Sequence, residues 1–212
     1  GGKSMKRTLD QLAYALYIIR RPFDGFWNLK YDGRGGLAAA LILIALLSFS
    51  FVFQRQATGF IFNYNEIDRL NVFQQLRYVL IPFVLFCVAN WALTTLMDGE
   101  GKFKEIVVAT AYATAPIPLV TIPVTIVSNF ITLEEGALLY LFNQLAYFWF
   151  CWLLLVGNMT VHQYSMTKTV FTMLLTFVGM GVILFIGLLF FNLIEQVVSF
   201  AVTIYKELKF RL

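Results

Sequence analysis

Charge is what this sequence has least of. Of its 212 residues, 13% are Asp, Glu, Lys or Arg, against roughly 25% in an average soluble domain. Histidine occurs once, as His162, and cysteine twice, as Cys87 and Cys151. So little charge excludes an ordinary soluble enzyme and a disordered chain, both of which need solvated surface. Two cysteines exclude a disulfide-stapled secreted domain. Neither makes a metal or redox motif with a neighbour, and both read as small buried hydrophobes inside apolar runs. The sequence holds no Ser–His–Asp set, no His-x-x-x-His and no Gly-rich phosphate loop. Catalysis, a bound metal and a cofactor are therefore not expected. His162 falls between the fourth and fifth apolar runs, where a solvated or interfacial side chain is expected.

In place of charge stands apolar mass: 59% hydrophobic residues, 17% aromatic, 22 phenylalanines, and a mean hydropathy of +0.75. A soluble domain of this size has too little interior for it. Crossing a hydrocarbon core of about 30 Å takes roughly 20 apolar helical residues. Five segments meet that test, at 36–53, 76–97, 106–130, 136–156 and 170–193. None carries Asp, Glu, Lys or Arg in its interior, apart from Arg77 at the start of the second. The expected fold is all-α: a polytopic integral membrane protein, a bundle of five transmembrane helices flanked by N- and C-terminal interfacial amphipathic helices.

The flanks divide the chain further. Gly1-Gly2-Lys3-Ser4 ahead of Met5 reads as a tag remnant, and no signal peptide is expected, because the first long apolar run begins only after residue 35. Residues 6–35 form an N-terminal amphipathic helix and linker. Leu9, Leu12, Ala13, Leu16 and Ile19 recur at helical spacing, with Lys6, Arg7, Asp10, Gln11 and Arg20 on the other side. Arg21-Pro22 ends that helix, and Phe23, Phe26 and Trp27 follow as interface anchors. Residues 36–193 form the membrane domain. Residues 194–212 carry a second stripe (Ile194, Val197, Val198, Ala201, Ile204, Tyr205, Leu208), and a bend or an exit from the membrane is expected near 192–196, with the tail along the surface outside. The long segment from Gln54 to Gln75, aromatic and amide-rich, is expected to hold an interfacial helix or hairpin.

Positive charge predicts orientation. With the N-terminus in the cytoplasm, the inner segments 1–35, 98–105 and 157–169 hold Lys3, Lys6, Arg7, Arg20, Arg21, Lys30, Arg34, Lys102, Lys104 and Lys168. The outer ones hold Arg55, Arg69, Arg77, Lys206, Lys209 and Arg211. The excess favours N-in and C-out in a bacterial cytoplasmic membrane. The net charge of +4 serves this orientation, and no nucleic-acid partner is expected.

Three local patterns resemble a known family. Pro22-Phe23-Asp24-Gly25-Phe26-Trp27-Asn28-Leu29-Lys30 precedes the first span. Asn90-Trp91 is followed by Asp98-Gly99-Glu100-Gly101-Lys102-Phe103-Lys104-Glu105. Ala111-Tyr112-Ala113 leads to Pro116. Together, over about residues 10 to 195, they resemble the bacterial branch of the Yip-domain family, named for the Ypt-interacting proteins of eukaryotes. The resemblance implies a five-span helical domain with a cytoplasmic N-terminus. Eukaryotic relatives bind Rab-type GTPases and each other and carry a long cytoplasmic N-terminal region. This chain has residues 6–35 in its place, so small-GTPase binding is not expected of it.

Three sets of residues are candidates for function. Phe23, Trp27 and Lys30, with Asp98, Glu100, Lys102 and Lys104 of the turn between spans two and three, are candidate partner contacts. In that turn Gly99 and Gly101 are expected to provide the tight reversal, and Lys102 and Lys104 occupy positions where an EF-hand would need oxygen ligands. The turn is either a docking surface or a solvated connector. Asn90, Thr94, Thr114, Asn143 and Gln144 are candidate intramembrane polar groups. They either bond between helices or, with Thr95, line one polar space. Pro116, Pro118 and Pro123 are candidate kinks in span three. The reading that follows is a membrane scaffold or accessory protein, surrounded by membrane lipid, acting through a membrane-protein partner or by self-association, with attachment to a transport complex as one form of it. The alternatives are a small transporter or channel with its cavity along span three and, more remotely, a membrane enzyme. Intramembrane ionisable residues, which carriers commonly use, are missing from the spans.

Overall fold

The computed structural model describes residues 2–63 and 71–211. No strand occurs among the described residues, and eight α-helices account for most of them: α1 (Gly2–Arg20), α2 (Pro22–Tyr31), α3 (Leu37–Ala57), α4 (Val72–Leu96), α5 (Phe103–Ala113), α6 (Pro116–Val127), α7 (Gly136–His162) and α8 (Met166–Arg211). Five helical segments are long and apolar enough to cross a membrane: α3, α4, the α5–α6 pair, a segment from Leu133 through α7, and α8 up to Lys209. The protein is thus an all-α bundle with five membrane-spanning helices. The third and fourth spans begin at Phe103 and Leu133, a turn earlier than expected. Apolar runs mark the thickness of the hydrocarbon core, whereas helices continue into the polar boundary.

The spans alternate in direction. One end of the bundle gathers α1, α2, the 97–102 turn and the 163–165 turn, and is called here the N-terminal end. The opposite end gathers residues 58–63 and the 128–135 connection. There Ser128 Oγ accepts from Gly59 N at 2.8 Å, and Asn129 Nδ2 donates to Ala57 O at 2.8 Å. The interfacial element expected within 54–75 falls in large part outside the described residues. Residues 54–57 complete α3, residues 60–62 form a turn, residues 72–75 begin α4, and residues 64–70 lie outside the described residues.

The α5–α6 pair is the centre of the bundle, and its residues explain why. Val108, Ala109, Ala111, Tyr112, Ala113 and Ala115 are all buried. Small side chains let neighbouring helices approach closely, which is how helices associate in lipid. The pair breaks at Thr114–Ala115, and Pro116 opens α6 in its first turn, where its missing N–H would have no intrahelical partner anyway. Tight bonds bridge the break: Thr114 N donates to Ala111 O (3.2 Å), Ala115 N to Tyr112 O (3.2 Å) and Ile117 N to Thr114 O (3.0 Å). Pro118 falls in the same first turn, and Pro123 lies inside α6.

Two flanking helices differ from expectation. In α1 the face toward the bundle is Gln11, Ala15 and Ile18, all buried, whereas Leu9, Ala13 and Leu16 of the expected apolar stripe are exposed. Gln11 is drawn in because its backbone carbonyl accepts from the buried Tyr112 hydroxyl at 2.9 Å and its side chain crowds Gly36. The leucine stripe is left facing away from the bundle. In α8 the helix runs 46 residues without a break, about 69 Å at 1.5 Å per residue. Of the bend or exit expected near 192–196, the helix shows no break there, since no glycine or proline follows Gly187 and kinks need such a cause.

Candidate functional site

The N-terminal end of the bundle is a built polar cluster, and α4 supplies its first member. Asn90 is fully buried, with Thr94 one turn on and 1% exposed. The amide lies between two helices: Nδ2 donates to Thr176 Oγ1 of α8 at 3.3 Å, and Oδ1 sits 3.0 Å from His162 Nε2 at the end of α7. Thr176 spends its own hydroxyl proton on Thr172 O at 2.8 Å, so toward Asn90 it can only accept. That orients the amide, and the oriented Oδ1 requires the proton of His162 to be on Nε2. One asparagine thus ties α4, α7 and α8 together.

His162 is 1% exposed, which corrects the expectation of a solvated loop residue. It is the last residue of α7, and the chain turns only at Gln163, in the left-handed conformation at φ 56°. The 97–102 turn closes over the ring. A Cβ added at Gly99 or Gly101 would fall 2.8 Å from His162 Nδ1, so these glycines are needed for close approach to the imidazole. The reversal itself is made by another residue: Asp98 takes the left-handed conformation at φ 59°, and Gly99 N donates to Thr94 O at 2.8 Å across the end of α4. This is a Schellman-type ending with aspartate in the position glycine usually takes. Among the described residues His162 Nδ1 has no hydrogen-bond partner. Tyr164 seals the side, its ring stacked 5.4 Å from the imidazole and its hydroxyl donating to Met97 O at 2.9 Å. Burial, and after it the Asp98 carboxylate, raise the Tyr164 phenol above its ordinary pKa, which keeps that donor protonated.

The helix α2 packs along the C-terminal part of α7 and reaches this end at Lys30: Phe23 meets Trp152, Phe26 meets Gly157 and Lys30 meets Val161. Pro22 opens it, Gly25 lets it meet α1 (an added Cβ would come within 2.9 Å of the Ile18 backbone), and Phe26 is fully buried against Gly157 of α7. Lys30 Nζ donates to Val161 O at 2.8 Å and sits 3.9 Å from Glu100. With Glu100 well exposed, that pair adds little stability. Its value is positional, since it joins α2 to the 97–102 turn. On the outer side Phe23, Trp27 and Tyr31 are each about half exposed, spaced four apart and so aligned on one face. Trp27 and Tyr31 pack with ring centres 4.4 Å apart.

The structure therefore brings together Phe23, Trp27, Lys30, Asp98, Glu100, Lys102 and Lys104 at one end, with Asn90 and Thr94 just beneath. It separates the other amides from them. Asn143 is half-buried near the opposite end, its Oδ1 accepting from Thr121 at 3.4 Å and its Nδ2 donating to Leu139 O at 3.1 Å. Gln144 is exposed, as is Thr95, and Thr114 is buried with its hydroxyl donating to Ala111 O at 2.7 Å. Asn143 borders a cavity of about 320 Å³ with Gln54, Arg55, Thr58, Gln75, Thr125 and Ser128. Sequence reasoning did not single out Arg55, Tyr164 or Thr176, or a buried His162. The available signal for His162 was Gly-x-Gly in the turn between spans two and three, which favours close approach to a large side chain. Among the described residues no three His, Cys, Asp or Glu side chains come together as a metal set.

No curated protein and no solved structure matches the chain. The model of the Yip1 domain matches residues 16–189, a stretch that begins in α1, ends in α8 and contains the whole polar cluster. The chain belongs to the Yip1 domain family.

Proposed function

We propose that this Yip1 domain protein is a membrane scaffold or accessory subunit whose N-terminal end faces the cytoplasm and receives a protein partner, within a transport complex or in self-association. It binds and does not catalyse. One observation carries the reading. The two segments nominated as partner contacts, remote in sequence, meet where the Lys30–Glu100 pair joins the end of α2 to the 98–104 turn, with Phe23, Trp27 and Tyr31 half exposed along α2. The polar cluster beneath holds that junction rigid, because Asn90, His162 and Tyr164 tie the turn to three spans. Exposed aromatics flanked by charges of both signs suit a protein partner, where aromatic anchors carry most of the binding energy. The test is purification in mild detergent. A stoichiometric partner should be lost from the Asp98→Asn, Glu100→Gln, Lys102→Gln triple variant while the thermal unfolding profile is kept. Unchanged partner recovery would reduce the turn to a connector.

A second reading rests on the cavity of about 320 Å³ at the opposite end. Its lining of amides and hydroxyls with one arginine suits a small polar solute, as in a carrier. Substrate-dependent flux in liposomes containing this protein alone, abolished by Asn143→Leu, would favour that reading over the scaffold.

A further inference from the structure

A second cavity lies under α2 at the N-terminal end, and its lining is unlike that of the first. It encloses about 310 Å³. Lys30, Lys102 and Lys104 stand around it, while Phe26, Leu29, Val108 and Val161 supply an apolar wall. Of the described residues lining it, Glu105 is the one carboxylate. It is already engaged, since its Oε2 accepts from Lys102 N at 3.2 Å across the first turn of α5. Lys30 is held in place by Val161 O and leans toward Glu100. Lys102 and Lys104 are exposed and form no ion pair among the described residues. Even counting Glu105 and Glu100 at full charge, the lysines leave the site cationic.

The position adds to the chemistry. The cavity lies between α2, the end of α7 and the start of the third span at Phe103, and span ends are where lipid headgroups meet the hydrocarbon core. Lysines there attract anionic headgroups, and an ammonium is a common phosphate ligand. A free phosphate would use the lysines and leave the apolar wall bare. A phospholipid uses both. We infer that this cavity is a binding site for an anionic phospholipid, its phosphate among Lys30, Lys102 and Lys104 and the upper part of its acyl chains against Leu29 and Val108 at the cavity edge. Binding of this kind does not depend on any protein partner.

The test uses the full chain, purified alone in detergent and titrated separately with phosphatidylglycerol, with phosphatidylcholine of the same chains and with inorganic phosphate. Native mass spectrometry reads what is retained. Phosphatidylglycerol should be retained in preference to phosphatidylcholine. K102E/K104E should lower that retention about tenfold or more, while K206E/K209E, with the same charge change on α8, leaves it unchanged. Both target lysines are exposed, so the fold should survive. If K102E/K104E unfolds earlier on heating, K102Q/K104Q removes the charge alone and should give the same ranking with a smaller fold-change. Equal retention of the two lipids would overturn the site. So would an equal loss from the α8 pair, which would show diffuse attraction of charge. Displacement of phosphatidylglycerol by inorganic phosphate at matching concentration would overturn the lipid assignment in favour of a free anion.

Discussion

The α5–α6 pair and α8 are both apolar spans, but 72% of the most apolar stretch of the first is buried inside the protein against 6% of that of the second. The more buried of the two has the lower mean hydropathy. In water that order would be reversed, because burial follows hydrophobicity. In a bilayer lipid is as apolar as leucine, so burial goes to the helix that packs closely. Span three is built for this, with Ala109, Ala111, Ala113 and Ala115 interleaved with Thr110, Thr114, Thr121 and Thr125. α8 turns large side chains such as Phe185, Phe190 and Phe191 outward. It meets the bundle mainly through α4, where Gly179 approaches Leu93 and Thr176 accepts from Asn90.

The comparison breaks first in the centre. Ala113 is fully buried, and Ala113→Phe asks several packed helices to move. Its expected cost is about 1–3 kcal/mol or more, as for overpacked cores, read as earlier unfolding in an SDS titration followed by tryptophan fluorescence. The same change in volume, in reverse, at Phe191 on α8, 69% exposed, should leave the curve where it was. If both variants unfold alike, the contrast between the two helices is wrong.

Next in size is the polar tie between α8 and the rest. Asn90→Leu removes the acceptor of His162 and the donor to Thr176, leaving the buried His162 Nε2–H unpaired while the Thr176 hydroxyl keeps its bond to Thr172 O. About 1–2 kcal/mol is expected. His162→Leu alone should cost about as much, and the double variant should cost less than the two added together, since each single change already breaks the shared bond. A strictly additive result in that double-mutant cycle would mean that the imidazole and the amide do not interact.

How far this architecture could be read beforehand follows from the same contrast. Five spans were legible because apolar runs report depth in the membrane directly, and the α1–α2 boundary was legible because Arg21-Pro22 forbids continuing the helix. Azimuth was not legible. Asn90 and Asn143 both read as mid-span amides, yet one bonds to α7 and α8 near the N-terminal end and the other to Thr121 near the opposite one. The rotation of α1 escaped for a related reason: an apolar stripe that would face a core in water faces away from the bundle here, and Gln11 is turned inward by Tyr112. For His162, position after an apolar run pointed to a loop. Its burial depends on Gly99 and Gly101, which lie more than sixty residues earlier in the chain. Partner-surface residues were found individually, while the meeting of their two segments needed the pairing of Lys30 with Glu100.

The smallest expected effects lie within α8 itself, where three glycines separate packing from propensity. A Cβ at Gly179 would come 3.3 Å from Leu93 Cδ1, whereas Gly181 and Gly187 face open space. Gly179→Leu should push α8 off α4 and unfold the protein earlier, a modest overpacking cost of about 1 kcal/mol. Gly187→Ala meets nothing, so helix propensity alone acts, and an alanine is favoured over glycine by up to about 1 kcal/mol in a helix interior. The gain should be smaller than that here. In lipid the unfolded reference is itself largely helical, so less backbone freedom is recovered by adding the methyl group. A shift of a few tenths of a kcal/mol toward stability, or none, is therefore the expected outcome in the SDS titration. A clear destabilisation by Gly187→Ala would show that this stretch of α8 is covered in the folded protein, by a second copy or a partner helix packed close enough to exclude one methyl group.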